Sequence, residues 1–347
     1  MQASAMSLAS CAAGLSVRSG PLAQIVSVDK PTIRRSTLPS TGVDPAQGGS
    51  APCGAGSDPR SADGGIAMAF KDLLLSLTSY PDPSAPAAIA AGVGYAALLE
   101  ARITAVTFEI EIPMPMGFYA DRLVDLSGLI ATERQKSATQ ARELVAAFEA
   151  EAAARGLAHE ARVAPANTVQ TPALIRDHAR LSDLAILPLG PTPDFRNIVA
   201  ETVIFEAGRP VLVVPEAAGR APALDHVVLA WDFGRPAARA LADALPLLRR
   251  AGRVEVVAVE TGGPAASSRT GDDLLRHIAH HGVAGTFTTI PMGDRTVAEA
   301  LSGHALAAGA DLLVMGAYGH SRLRDFMLGG ATKAMLAAPP LPLFLSH

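Results

Sequence analysis

Ten short runs of leucine and β-branched residues alternate with longer alanine-rich segments after Met68, and the last five runs repeat the order of the first five. Few folds are open to a chain with that rhythm. Short buried strands, each followed by enough residues for a helix, specify βαβ units and a parallel, doubly wound sheet. The predicted strands are 72–77, 103–109, 158–164, 184–189 and 210–214, then 226–231, 254–260, 284–290, 311–316 and 342–345. Local matches point to duplication: "LSDLAILPLG" answers "GADLLVMGAYG", and "GRPVLVVP" answers "LPLFLSH". The first copy carries an extra helical stretch, roughly 121–155. The expected fold class is therefore α/β, two tandem five-stranded parallel-sheet units of Rossmann-like type. Their expected bounds are 68–215 and 225–347, joined by a Pro-, Gly- and Ala-rich linker at 216–224.

At 347 residues and 49% hydrophobic, the chain has material for two cores. A net charge of -4 and 4% aromatics supply neither a basic field nor stacking surfaces, so no nucleic-acid partner is expected. The longest apolar stretch, Ala85 to Leu99, is too short to span a bilayer and is broken by Pro86, Gly92 and Gly94, so no membrane partner is expected either. Cys11 and Cys53 both fall in residues 1–67, which leaves the two repeats without thiols for disulfides or metal sites. That N-terminal segment, rich in Ala, Ser, Gly and Pro, buries too little to offset its ordering entropy and reads as a disordered tail. "LASC" at 8–11 superficially matches a lipoprotein cleavage box but lacks its charged start and apolar region, and an organellar transit peptide is a further reading. The plainer expectation is that translation starts at Met68 and that the protein is cytoplasmic.

The segment most informative about function is "MGAYGHSRLRDFMLGGATKAML", from Met315 to Leu336. It leaves a predicted strand and enters a predicted helix, so it lies at the C-terminal edge of the sheet, where α/β folds bind ligands. Glycines let a ligand approach the main chain, and a helix opened by Gly329 and Gly330 presents N–H groups and the positive end of its dipole. With the Thr332 hydroxyl in the first turn, this suits phosphate oxygens. The alternative is that the glycines make a tight turn and a helix cap and bind nothing. There is no GxxxxGK[ST], because Lys333 follows Thr332, and no GxGxxG follows the first strand of either copy, which sets aside P-loop and NAD or FAD sites. The first copy is shorter here: from Asp183 to Pro210 is 27 positions, against 31 from Asp311 to Pro342, and "PTPDFRNIVAETV" puts prolines where open backbone would be needed.

Gly316-Ala-Tyr-Gly319, nine residues, then Gly329 resembles the G-x2-G-x9-G-[S/T] loop of the universal stress protein (UspA-like) family. "VVLAWDFGRPAARALADALPLL" resembles that family's opening strand and helix, in which an acidic residue ends strand one. The resemblance covers Leu224 to His347 well and Met68 to Pro215 more faintly, which implies a tandem member with an adenine-nucleotide α-hydrolase-like fold. It implies ATP, with Mg²⁺ as an accompanying ion, across the sheet edge of the second unit. Asp232 and Val259 would face the adenine, and Met315 and Gly316 the base and ribose. Gly319, Gly329, Gly330 and Ala331 would present backbone N–H groups to the phosphates, with Ser321 and Thr332 as hydroxyl partners; His320 is the loop histidine to test. Arg322 and Arg324 would approach the triphosphate or remain solvated. Gly330 stands where Ser or Thr is usual, and Phe233 follows Asp232 where a small residue is commoner and is expected to crowd the entrance. In the first unit Thr78 and Ser79 replace the acid, so it is expected to be degenerate, a structural or regulatory partner.

"RHIAHHG" places His277, His280 and His281 on one helical face, a metal-binding spacing, but helix-end charge and a cap at Gly282 explain it equally. Asp177 and His178 read as surface. No nucleophile elbow, Ser-His-Asp order or paired carboxylates stand out, so no catalytic or metal-ligating residue is assigned. The expected function is stress response by nucleotide-dependent conformational or partner signalling, with slow ATP hydrolysis at most, for want of a general base or Mg²⁺-fixing Asp near the loop. Expected partners are an adenine nucleotide and either a second copy, as a homodimer, or the other unit of the same chain. A non-nucleotide-binding dimeric scaffold, pairing through the edge "PLFLSH", is the alternative. A third reading, a hydrolase of the related nucleotide group, would want an SGGxDS-like loop that "AWDFGRP" is not.

Overall fold

The computed structural model describes residues 69–112, 126–217, 221–262, 268–317 and 330–347. The segment read as a tail, part of the linker and most of the glycine-rich loop lie outside them. The first half runs β1 (Asp72–Ser76), α1 (Pro86–Leu99), β2 (Arg102–Ile110), α2 (Leu126–Ala154), β3 (His159–Ala166), α3 (Thr171–Arg180), β4 (Leu184–Leu189), α4 (Phe195–Glu206) and β5 (Val211–Pro215). The second runs β6 (His226–Ala230), α5 (Arg235–Leu248), β7 (Arg253–Glu260), α6 (Gly271–His280), β8 (Gly285–Pro291), α7 (Val297–Ala307), β9 (Leu312–Gly316), α8 (Gly330–Ala337) and β10 (Leu343–Ser346). Each predicted strand is present within about two residues at either end. The extra helical stretch of the first half is the 29-residue α2, against 10 residues for its counterpart α6.

All ten strands share one sheet, ordered β3-β2-β1-β4-β5-β10-β9-β6-β7-β8. Each half has the same internal order, and every neighbouring pair within a half is parallel. The halves meet at an antiparallel seam, Leu343 opposite Val213, Phe344 opposite Leu212 and Leu345 opposite Val211. The strand expected as a pairing edge for a second copy is thus an interior strand, already paired within the chain. Its run of buried residues, Leu343 to Ser346, is what a strand covered on both faces requires.

The helices cover both faces, and each face is one continuous apolar layer across the seam. Under α1, α2, α5 and α6, Leu73, Phe148 and Tyr95 belong to the same cluster as Val227, Leu241 and Phe344. Under α3, α4, α7 and α8, Ile175 and Val203 share a cluster with Leu313, Met335 and Leu345. Each such side chain, fully buried, contributes about 1.5–3 kcal/mol relative to exposure, and the two layers run unbroken across the seam.

The residue match between the copies has a structural reason. Asp183, just before β4, accepts the Lys71 and Asp72 N–H groups at 2.8 and 3.0 Å. Asp311, just before β9, accepts the His226 N–H at 3.0 Å. In each half this aspartate ties down the N-terminal end of the central strand by satisfying backbone donors that would otherwise lose water. Local signals fix the helix starts: Thr270 with Asp273 and Thr296 with Glu299 form reciprocal capping boxes on α6 and α7. Gly282, at φ 77, ends the α6 region, and His277 and His281 meet ring edge to face at 4.9 Å.

One carboxylate is buried at the start of the second half. Glu255 on β7 is 4% exposed. It accepts from Thr288 Oγ1 at 2.8 Å and meets His304 Nε2 at 3.1 Å, with Arg253 and His226 each at 3.3 Å. Burial pushes its carboxyl up, but the hydrogen bonds from Thr288 and His304, with the charges of His304 and Arg253, outweigh that and hold it below the ordinary 4.5. A carboxyl lowered in the folded state adds stability above the unfolded-state pKa and loses it as pH falls through the folded value. Glu255→Gln therefore flattens the acid limb of a plot of thermal midpoint against pH, below about pH 4. An acid limb as steep as that of the unsubstituted chain would show that Glu255 contributes none of it.

Candidate functional site

Parallel strands deliver their C-terminal ends to one edge, and in the second half β6, β7 and β9 lie side by side there. The register pairs Ala230 with Val257 and Leu229 with Val314, and the Trp231 N–H donates to Val257 O at 2.8 Å. Carried two residues further, it places Asp232 beside Val259, with Met315 and Gly316 on the other flank. Val259, Met315 and Ala331 all pack into the layer under α7 and α8. Three of the expected ligand contacts thereby share one apolar layer, and Asp232 follows the end of β6 beside it. Asp232 and Gly330 are exposed, Val259 and Ala331 half-buried, and Met315 buried. Thr332, expected as a hydroxyl partner, is 3% exposed behind the first turn of α8. Gly319, His320, Ser321 and Gly329 lie outside the described residues.

The two described glycines of the motif are glycine for different reasons. A Cβ on Gly316 would sit 2.4 Å from the Pro236 carbonyl carbon and 2.5 Å from the Ala237 nitrogen. It is the place where the N-terminus of α5 presses onto the end of β9, so bare backbone is demanded by packing. A Cβ on Gly330 would meet nothing within 4 Å.

Asp232 is held in a tight local turn. Its Oδ1 accepts the Gly234 N–H at 2.7 Å, and a Cβ on Gly234 would fall 2.8 Å from that oxygen. Between them Phe233 adopts φ 57, a left-handed conformation costing about 1–2 kcal/mol for a residue with a side chain. The conformation lays the Phe233 ring edge-on to Trp231, centroids 5.8 Å apart. Trp231 packs against the opposite layer, under α5 and α6. The ring expected to crowd the entrance is thus drawn toward the other face of the sheet.

The matching edge of the first half is filled. Pro188 stands at the position of Gly316, and Ser76 to Tyr80, Phe108, Ile110, Phe195 and Arg196 close around a recess of about 20 Å³, room for about one water. The N-terminus of α4 is already capped: Asp194 accepts the Arg196 N–H at 2.8 Å, and Asn197 returns the bond to the Asp194 N–H at 2.8 Å. The Arg196 guanidinium pairs with Asp194 at 2.6 Å and with Glu216 at the end of β5. Burial pulls the Arg196 pKa down, yet these two carboxylates outweigh it and hold the charge firmly in place. The first half thus supplies its own anions at this helix start. Sequence reasoning missed this cluster; "PTPDFRN" carries a legible Asp-x-x-Asn cap, but nothing local links Arg196 to Glu216.

Among the described residues, no group of three or more His, Cys, Asp or Glu is placed to hold a metal ion, and no helix is long and apolar enough to cross a membrane.

No protein-family model and no curated protein sequence matches the chain. Solved structures do. A universal stress protein from Archaeoglobus fulgidus DSM 4304 is 17% identical, with a TM-score of 0.59 over 80% of this chain and 97% of that one. A functionally unknown protein from Pseudomonas aeruginosa PAO1 is 13% identical, with a TM-score of 0.49 over 80% of this chain and 92% of its own. A member of the universal stress protein family from Burkholderia pseudomallei is 24% identical, with a TM-score of 0.28 over 35% of this chain and 95% of its own. The archaeal match identifies the fold: the chain has the mixed α/β, Rossmann-like architecture of the universal stress proteins.

Proposed function

We propose that the chain is a tandem universal stress protein that binds one adenine nucleotide, ATP, at the sheet edge of its second half. The observation that supports this is that Asp232 follows the C-terminal end of β6, flanked by β7 and β9, whose Val259 and Met315 pack into one apolar layer with Ala331 of α8. The first helical turn of α8 supplies N–H donors and a positive dipole end for phosphate oxygens, and Mg²⁺ would enter with the triphosphate. The first half, its edge filled and its helix capped, is the structural or regulatory partner, and the units are taken as 68–215 and 225–347 about the 216–224 linker. The protein acts in stress response as a cytoplasmic, nucleotide-dependent signalling module, hydrolysing ATP slowly at most.

The single tryptophan of the chain, Trp231, adjoins the site and gives the test. Titration with ATP·Mg²⁺ changes Trp231 emission and saturates at one nucleotide per chain by calorimetry. No saturable change and no heat would remove the nucleotide reading. A scaffold that binds no nucleotide, and that does not pair through the interior strand β10, would then stand, favoured by one observation: Gly316 has a packing reason of its own.

A further inference from the structure

Among the described residues outside glycine, only Glu100 and Phe233 have positive φ. Glu100 is the C-cap of α1, where a left-handed residue closes a helix. Phe233 has no such role; it precedes Gly234, the N-cap of α5, whose own φ is -83. The corresponding turn of the first half does without any such residue. There Ser84 Oγ accepts the Thr78 N–H at 2.9 Å and the Ser84 N–H donates to Thr78 O at 2.8 Å. The left-handed residue without a helix-closing role thus lies in the second half, just after the only acidic group on β6 or its extension. Such strain persists only where surrounding contacts over-determine it. Here the contacts are the Trp231 ring, the Asp232–Gly234 bond and the Gly234 backbone that no Cβ could share with the carboxylate.

We propose that Phe233 is a positioning residue: its ring, anchored on Trp231, holds the turn left-handed so that the exposed Asp232 carboxylate is fixed at the sheet edge for a hydrogen-bond donor of the bound ligand. This rests on the nucleotide-binding reading of the same site. A carboxylate already ordered before binding loses less freedom when the ligand arrives. The donors it suits are the ribose hydroxyls or exocyclic amine of a nucleoside.

The test compares Phe233→Ala with Phe233→Asn in the full chain. Alanine removes the anchor and gains nothing from a left-handed backbone; asparagine removes the anchor but tolerates that conformation through its own side chain. Without ligand, the Gly234 amide exchanges at least about tenfold faster in Phe233→Ala than in the unsubstituted chain, and near the original rate in Phe233→Asn. ATP binds Phe233→Ala about 5–10-fold more weakly and Phe233→Asn within about twofold of the unsubstituted chain. Equal losses in both variants would mean that the ring itself touches the ligand, and overturn the positioning role. Unchanged Gly234 exchange or unchanged affinity in Phe233→Ala would overturn it too. Failure of the unsubstituted chain to bind ATP would instead strike at the nucleotide reading, and this proposal would fall with it.

Discussion

Gly316→Ala lowers the thermal midpoint by about 5 °C, the shift expected for a loss of about 3 kcal/mol in a folded unit of this size. The added methyl group meets backbone, the Pro236 carbonyl carbon and the Ala237 nitrogen at 2.4 and 2.5 Å, and neither can rotate aside as a side chain could. The start of α5 has to lift off β9, which opens the apolar layer around Leu241 and Val314. Gly330→Ala is the internal control. Its methyl meets open space at the first residue of α8, and alanine favours a helix over glycine by about 0.5–1 kcal/mol. Two glycines from one motif thus respond in opposite directions in calorimetric unfolding. A Gly316→Ala protein melting within a degree of the original would show that the close approach is slack, and would return that glycine to a purely ligand-binding role.

Arg196→Ala costs about 3 kcal/mol, because it strands Glu216, whose side chain is only 14% exposed, without its partner. Asp194 loses the same guanidinium but keeps the Arg196 backbone N–H, and at 40% exposure it can turn to water. The loss therefore centres on Glu216. Adding Glu216→Leu to Arg196→Ala restores most of the midpoint, since removing both charges is far cheaper than removing one. A single-variant cost below about 1 kcal/mol would place the cluster among solvent-screened surface pairs.

The repeat made the fold legible, because burial on both faces imposes runs such as "LAILPL" and "LLVMG" that no turn or surface segment tolerates. Asp183 and Asp311 helped align the copies for a reason visible only in three dimensions, their bonds to the strand next door. Asp232, Val259 and Met315 were named by the family resemblance alone, and strand order explains why they come from neighbouring strands. What escaped were contacts between distant residues. Gly316 owes its identity to a helix that starts about 80 positions earlier, and Arg196 meets Glu216 across the width of a βαβ unit. Phe233 was readable as a departure from pattern, yet the direction of its ring depends on a dihedral that composition does not reveal. The role of "PLFL" was misplaced at an edge even though its unbroken apolar run suits an interior strand.

The position of β10 also shapes how the chain is made. Of the ten strands it is synthesised last, yet it fills the slot between β5 and β9 at the middle of the sheet. Throughout synthesis of the second half, Val211 to Val214 present an apolar row of unpaired backbone groups, a template for any passing strand. The nascent chain carries this exposed edge for well over a hundred residues, until β10 relieves it by pairing with both β5 and β9. Shielding by the ribosome or a chaperone is worth most to this protein during that interval.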